Sequence, residues 1–368
     1  MTFSSLIVLF LTHKINYSTK KVVQKDLNYD TLFNIQKYIK NFIKIVFIIE
    51  FTGAVFLFFV FIKRFSFLKA VYYAVFHSIS AFCNTGFSLF PSSLKDYQTN
   101  IIINIVIPAL IILGSLGFAA LNNIYMYVER KFEAKGRKKR KFKMNLTSKL
   151  SIKVSLILII GGTLSTLMIE MSNPETLKNF DFHNKILLSF FHSVSIRTAG
   201  FQTLELSGMK TTTLLVYIIL MFIGASPGST GSGIKTTTIA VIILGIFSLM
   251  KGKKDIEVSG RRINWIIFNR AVSIVFISIL YVIVVVFILS ILEKEAGFLV
   301  LLFEVVSAFG TAGLSLNMTP ELCILSKLLI SVTMFVGRVG PLTVAIPLVI
   351  KARKVGIYRY PKEDVYVG

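Results

Sequence analysis

Cysteine is almost missing from this chain. Cys83 and Cys323 are the only two in 368 residues, and they lie far apart. They supply neither the paired spacing of a metal site nor a disulfide framework. Acidic residues are scarce as well, with 18 Asp and Glu against 41 Lys and Arg and a net charge of +23. The first residues do not show the charged-then-apolar pattern and small-residue cleavage site of a signal peptide. What the chain has in excess is apolar surface: 54% of its residues are hydrophobic and its mean hydropathy is +0.73. That is too apolar for an ordinary soluble domain, and several runs reach the ~20 residues that cross a bilayer as a helix.

The runs predict spans at roughly 43–62, 101–128, 154–171, 213–250 (interrupted), 271–292 and 326–350. A basic chain invites a nucleic-acid reading, but the placement of the charge opposes it. Of the 41 Lys and Arg, 27 fall in the segments 12–42, 129–153, 251–262 and 351–368, and nine in the alternate connections. This asymmetry assigns the first set, and with it the C-terminus, to the cytoplasm of a multi-pass protein of the cell membrane. The run Arg137–Lys141 reads as a topology signal touching anionic lipid. No nucleic-acid partner is expected.

One segment occurs three times. Phe76-His-Ser-Ile-Ser-Ala-Phe-Cys-Asn-Thr-Gly86-Phe returns as Phe191-His-Ser-Val-Ser-Ile-Arg-Thr-Ala-Gly200-Phe and as Phe303-Glu-Val-Val-Ser-Ala-Phe-Gly-Thr-Ala-Gly313-Leu. The closing glycines are 114 and 113 residues apart, and each copy stands between two apolar segments. A single copy would be a tight turn between helices. Three at constant spacing have the layout of re-entrant pore loops, which present backbone carbonyls to a dehydrated cation. The candidate filter residues are Cys83, Asn84, Thr85 and Gly86; Arg197, Thr198, Ala199 and Gly200; and Gly310, Thr311, Ala312 and Gly313. Coordination by their carbonyls rather than their side chains is expected, since glycine tolerates the required dihedrals.

His77, His192 and Glu304 are polar residues of the preceding helices. They either sense protons and tune the field or anchor those helices by hydrogen bonds. Glu50 lies within the first span, where an ionisable group is costly.

The stretch Gly224-Ala-Ser-Pro-Gly228-Ser-Thr-Gly231-Ser-Gly233-Ile-Lys235 interrupts a span. It resembles a phosphate-binding loop, but Ile234 separates the last glycine from Lys235, and apolar helices flank it. Non-helical chain at membrane depth must be buried in protein or line a cavity. A gate formed by Gly224, Ser226, Gly228, Gly231, Gly233 and Lys235 is the functional reading, and a simple helix break is the plain one. Arg338, inside the last span, would raise a barrier to cations and bond the carbonyls of this loop, or snorkel or pair with a buried acid. Gly114 and Gly117 match Gly337 and Gly340 in position, where small residues allow close helix approach.

The period defines units at 40–128, 150–250 (with the gate loop at 224–234) and 263–350, followed by a tail at 351–368. Met1–Leu11 is apolar and precedes the basic His13-Lys14, the pattern of Leu342–Ile350 before Lys351. Residues 1–14 are therefore expected to be the remnant of the last helix of a first unit whose other parts are absent. The other reading is a short interfacial helix.

In these segments, most specifically 76–90, 190–204, 221–238 and 303–342, the chain resembles the membrane subunit of the Trk/Ktr/HKT superfamily of potassium, sometimes sodium, transporters, most of all the Ktr type. The resemblance implies an all-α polytopic membrane protein of helix–pore-loop–helix units around a central ion pore. It implies that the filter loops carry K+, with Na+ the alternative ion, that 224–234 is the gate, and that Arg338 contributes to the barrier. It further implies a homodimer bound to a cytosolic ring of nucleotide-binding regulatory subunits; no cofactor or enzymatic site is expected in the chain itself. The family has four filter loops and this chain has three. The alternative is therefore a truncated, non-conducting membrane fragment.

Overall fold

The computed structural model describes residues 35–133 and 144–340, with side chains described at 41–127 and 144–340. The expected remnant at 1–14, the Arg137–Lys141 run and the tail at 351–368 lie outside the described residues.

The described chain is almost wholly helical. Three segments follow one order: a long helix, a short helix, a loop and a further helix. The long helices are α1 (Ile35–Phe61), α5 (Leu146–Glu170) and α9 (Trp265–Leu292). Each holds an apolar stretch long enough to cross a membrane. Their outward faces carry exposed apolar side chains such as Phe51, Met168 and Phe276, while serines and threonines such as Ser155, Thr166 and Ser278 are buried. This is the distribution expected of a hydrocarbon solvent.

The short helices are α2 (Phe67–Phe82), α6 (Phe182–Ser195) and α10 (Phe298–Gly310), of 16, 14 and 13 residues. At 1.5 Å per residue they reach about 20–24 Å, short of a hydrocarbon core. Each packs closely on the long helix before it. After the loops come α3 (Ile101–Ser115), α7 (Thr211–Phe222) and α11 (Ile324–Val339). Helix α3 packs on α6 of the next segment, and α7 on α10 of the one after, so consecutive segments are neighbours in space.

The expected single span at 101–128 is corrected by the structure. It is two helices, α3 and α4 (Phe118–Glu133), bent by 106° at Leu116–Gly117. Gly117 adopts φ +86°, and a side chain there would sit 2.4 Å from the Pro227 carbonyl oxygen. The interruption expected within 213–250 is present: α7 stops at Phe222 and α8 (Thr236–Met250) starts 14 residues later. Between α8 and α9 runs a hairpin, β1 (Ile256–Val258) paired antiparallel with β2 (Arg261–Ile263). Its Ile256 and Ile263 are buried against α5, α8 and α9. Helix α11 ends at Val339, where Gly340 takes φ +96°. The C-terminal end of α5 is fixed by a buried carboxylate: Glu170 accepts from Asn173 Nδ2 (2.6 Å), Thr176 Oγ1 (2.6 Å), the Lys210 N–H (2.9 Å) and the Thr213 hydroxyl.

Candidate ion-conduction site

The three repeated loops have one geometry. A serine four residues after the leading phenylalanine organises each turn. The Ser80 carbonyl accepts from Thr85 N–H (3.0 Å), Ser195 from Ala199 and Gly200 (2.9 and 3.0 Å), and Ser307 from Ala312 (2.8 Å). Each hydroxyl then holds the residue after the closing glycine. Ser80 donates to the Phe87 carbonyl (2.8 Å), Ser195 donates to that of Phe201 (2.7 Å), and Ser307 accepts from the Leu314 N–H (3.0 Å). These serines were not singled out from the sequence, although they align in all three copies; that alignment was the available signal.

The polar residue following each leading phenylalanine anchors the ascending chain. His77 Nδ1 donates to the Tyr73 carbonyl (2.7 Å) and its Nε2 meets Ser88 Oγ (3.2 Å). His192 Nε2 accepts from the Leu204 N–H (3.1 Å) and lies 3.2 Å from Thr203 Oγ1. Glu304 accepts from the Thr319 hydroxyl, and its other carboxylate oxygen is buried without a partner among the described residues.

The loops abut in order. A Cβ on Gly86 would lie 1.7 Å from the Ala199 carbonyl oxygen, and one on Gly200 would lie 2.2 Å from that of Ala312. Both glycines have positive φ, +70° and +84°, so no other residue fits there. Gly313 has the same turn (φ +74°), but no described atom lies within 4 Å of its Cβ position. At the other end of the row, Thr85 is exposed. Among the described residues, no third neighbour closes the row beside Gly313. Not every expected filter residue sits in a loop: Gly310 is the last residue of α10, packed on the Met221 carbonyl. Cys83 caps α2, and Arg197 turns its side chain away into the protein, where it is 4% exposed. Asn84 and Thr311 hold left-handed conformations (φ +52° and +49°) that non-glycine residues rarely adopt.

Residues 223–235 run beneath these loops. Ala225 N–H donates to Ser232 (3.1 Å), Ser226 N–H to Ser115 (3.0 Å), Thr230 N–H to Gly114 (3.3 Å) and Ile234 N–H to Phe222 (3.2 Å). A phosphate-binding loop needs such N–H groups free for its ligand; here carbonyls use them, and the flanking elements are helices. The loop in turn shapes its neighbours: the Gly228 carbonyl accepts the first N–H of α4 (2.9 Å). The Thr230 hydroxyl reaches the carbonyls of Phe82 (3.3 Å) and Gly114 (3.1 Å). With its amide oxygen facing them, Asn84 accepts from the Thr198 and Thr230 hydroxyls (3.1 and 3.3 Å).

Three cationic side chains bind the loop's own carbonyls. Arg338 Nη1 donates to Thr230 O and to Ser232 Oγ (3.2 Å), Lys235 Nζ to Gly231 O (2.9 Å), and Arg197 Nη2 to Gly224 O (2.8 Å). The structure therefore brings the candidate gate residues and the first two candidate filter loops into one bonded cluster.

Residues 1–355 match the family described as TrkH, cation transport protein. The chain belongs to this family. It is 35% identical over 359 residues to the potassium/sodium uptake protein NtpJ of Enterococcus hirae, covering 96% of this chain and 77% of that protein. It is 36% identical over 369 residues to the Ktr system potassium uptake protein B of Bacillus subtilis, covering 100% and 80%. In fold it is similar to the crystal structure of the potassium transporter TrkH from Vibrio parahaemolyticus, with a TM-score of 0.69 and 18% identity over 95% of this chain and 70% of that one. Membership makes it a membrane protein of a transport family, not an enzyme.

Proposed function

We propose that this chain is the membrane subunit of a potassium uptake system, with sodium as the alternative ion. Cations would pass the filter loops ending at Gly86, Gly200 and Gly313 and then the gate loop at 224–234. The observation that carries the reading is the row of loops in which Gly86 lies against the Ala199 carbonyl and Gly200 against the Ala312 carbonyl. In this reading the carbonyls of the three loops replace the water shell of a dehydrated cation. Arg338 of α11 and Lys235, both bonded to the loop below, would oppose a cation until the loop moves. The units at 40–128, 150–250 and 263–350 are the proposed pore units. A homodimer, and a cytosolic ring of nucleotide-binding regulatory subunits, complete the assembly in the cell membrane; relatives named as parts of Ktr systems support this part of the reading.

The test is growth of K+-uptake-deficient cells at low K+ on expression of the chain, paired with ion uptake by the purified protein in liposomes. Rescue with uptake of K+ or Na+ is expected. A folded, inserted protein that passes neither ion overturns the reading for residues 1–368.

A further inference from the structure

We infer that Arg197, with Thr198 beside it, is a positioning residue that couples the second filter loop to the intramembrane loop, so that ion occupancy of the filter biases the loop. The inference rests on the transport reading above.

The residue type is the first anomaly. In the other two repeats this place holds Cys83 and Gly310, both small. Here a guanidinium is buried, with no acidic partner in an ion pair among the described residues. Burying an unpaired charge is costly, so the position must return something for it. Among the described residues it makes one hydrogen bond, Nη2 to the Gly224 carbonyl at 2.8 Å, while its Nε is buried without a partner.

Gly224 is where α7 has ended and the chain begins its excursion. A Cβ on it would lie 1.9 Å from the Ser232 carbonyl oxygen, so the outgoing and returning limbs touch backbone to backbone at this point. The next filter residue grips the returning limb: a Cβ on Gly231 would lie 2.8 Å from the Thr198 methyl. Two consecutive residues of one filter loop thus hold both limbs of the loop below. If the limbs separate, the guanidinium either loses its hydrogen bond inside the protein or pulls Arg197 and Thr198 with it. The first is unfavourable and the second moves the filter. Linkage is reciprocal, so an ion that fixes the filter must also change the stability of the loop.

The test is hydrogen exchange of the full chain in lipid nanodiscs, in K+ and in choline at equal ionic strength. The readout is the amides of Ala225, Ser226, Thr230 and Ile234, whose carbonyl partners are known. In the wild-type chain K+ is expected to slow their exchange several-fold. In Arg197→Lys and Arg197→Gln that K+ dependence is expected to vanish, while K+ still protects the peptide containing Thr198–Gly200. Variants that keep the wild-type K+ dependence overturn the coupling. So does faster loop exchange that is equal in both salts, the mark of a pillar with no signalling role. Should neither variant fold, Thr198→Ser removes only the methyl packed on Gly231 and is expected to weaken the K+ effect; an unchanged effect overturns the inference. K+ protection of the filter peptide without any effect on the wild-type loop also overturns the coupling and leaves the transport reading standing. No K+ effect on either peptide overturns the filter reading, and the coupling with it.

Discussion

At His192 the hydrogen bond to Leu204 shows how the ring can anchor its helix. Its Nε2 accepts a backbone N–H from Leu204, which requires that nitrogen to be unprotonated and the ring neutral. Protonation would break the bond that anchors the chain above the second filter loop. His192→Leu therefore leaves the Leu204 N–H unpaired in a buried site, at a cost of about 1–3 kcal/mol. His192→Gln keeps an acceptor oxygen within reach and should lose less. Thermal melting of the purified variants checks this, and equal losses would show that the acceptor is unimportant. The repeat alignment made such anchors visible as polar residues at one register. It did not disclose their partners, because Ser88, Leu204 and Thr319 lie at different distances past their glycines. Ser195 carries the same lesson. Its hydroxyl bond to Phe201 exists only once the loop has turned back, and Ser195→Ala is expected to cost about 0.5–1.5 kcal/mol while speeding hydrogen exchange of the 196–204 segment.

Helices meet the loops through glycines at the next scale. A Cβ on Gly114 or Gly337 would lie 1.9 Å from the carbonyl oxygen of Phe82 or Phe309, the ends of the two short helices. Backbone cannot yield as a flexible side chain does, so Gly114→Ala and Gly337→Ala are each expected to cost more than the ~1–3 kcal/mol of ordinary overpacking. Gly161→Ala is the control: no described atom lies within 4 Å of its Cβ, and better helix propensity should stabilise by about 0.5–1 kcal/mol. Melting temperatures that fall together in all three would disprove the packing argument. The sequence pairing of Gly114-x-x-Gly117 with Gly337-x-x-Gly340 was legible as close approach, and for Gly114 and Gly337 that is what the geometry contains. The bend at Gly117 was not legible. Hydropathy runs on through 101–128, and the contact that turns the chain comes from Pro227 and Gly228, far along the sequence. The intramembrane loop was legible because glycine, serine and proline cannot continue an apolar helix. For that element the proposed gate predicts that Arg338→Ala, by removing the bonds to Thr230 and Ser232, raises basal cation uptake in liposomes. Unchanged or lower uptake by a folded variant would remove Arg338 from the barrier.

Over the whole molecule, the threefold repeat in the sequence becomes a row of three loops, and the charge asymmetry makes a testable claim of sidedness. The basic connection at 251–262 folds into the β1–β2 hairpin, with Lys251, Lys253, Lys254, Arg261 and Arg262 all exposed. The connection after α5 carries Asn179 exposed on the surface. Between loop 171–181 and the hairpin lie the re-entrant α6 and the interrupted span α7–α8, so one full span separates the two in the proposed topology. Lys and Arg resist translocation, so the proposed topology has the hairpin in the cytoplasm and Asn179 outside. An epitope inserted at Ser259–Gly260 is therefore expected to bind antibody only after cells are permeabilised. One inserted at Asn179 should bind on intact cells. The reverse pattern would invert the whole assembly: Arg338 and the 224–234 loop would then face the outside, the filter would face the cytoplasm, and the chain could not be the inward-gated uptake subunit proposed for it.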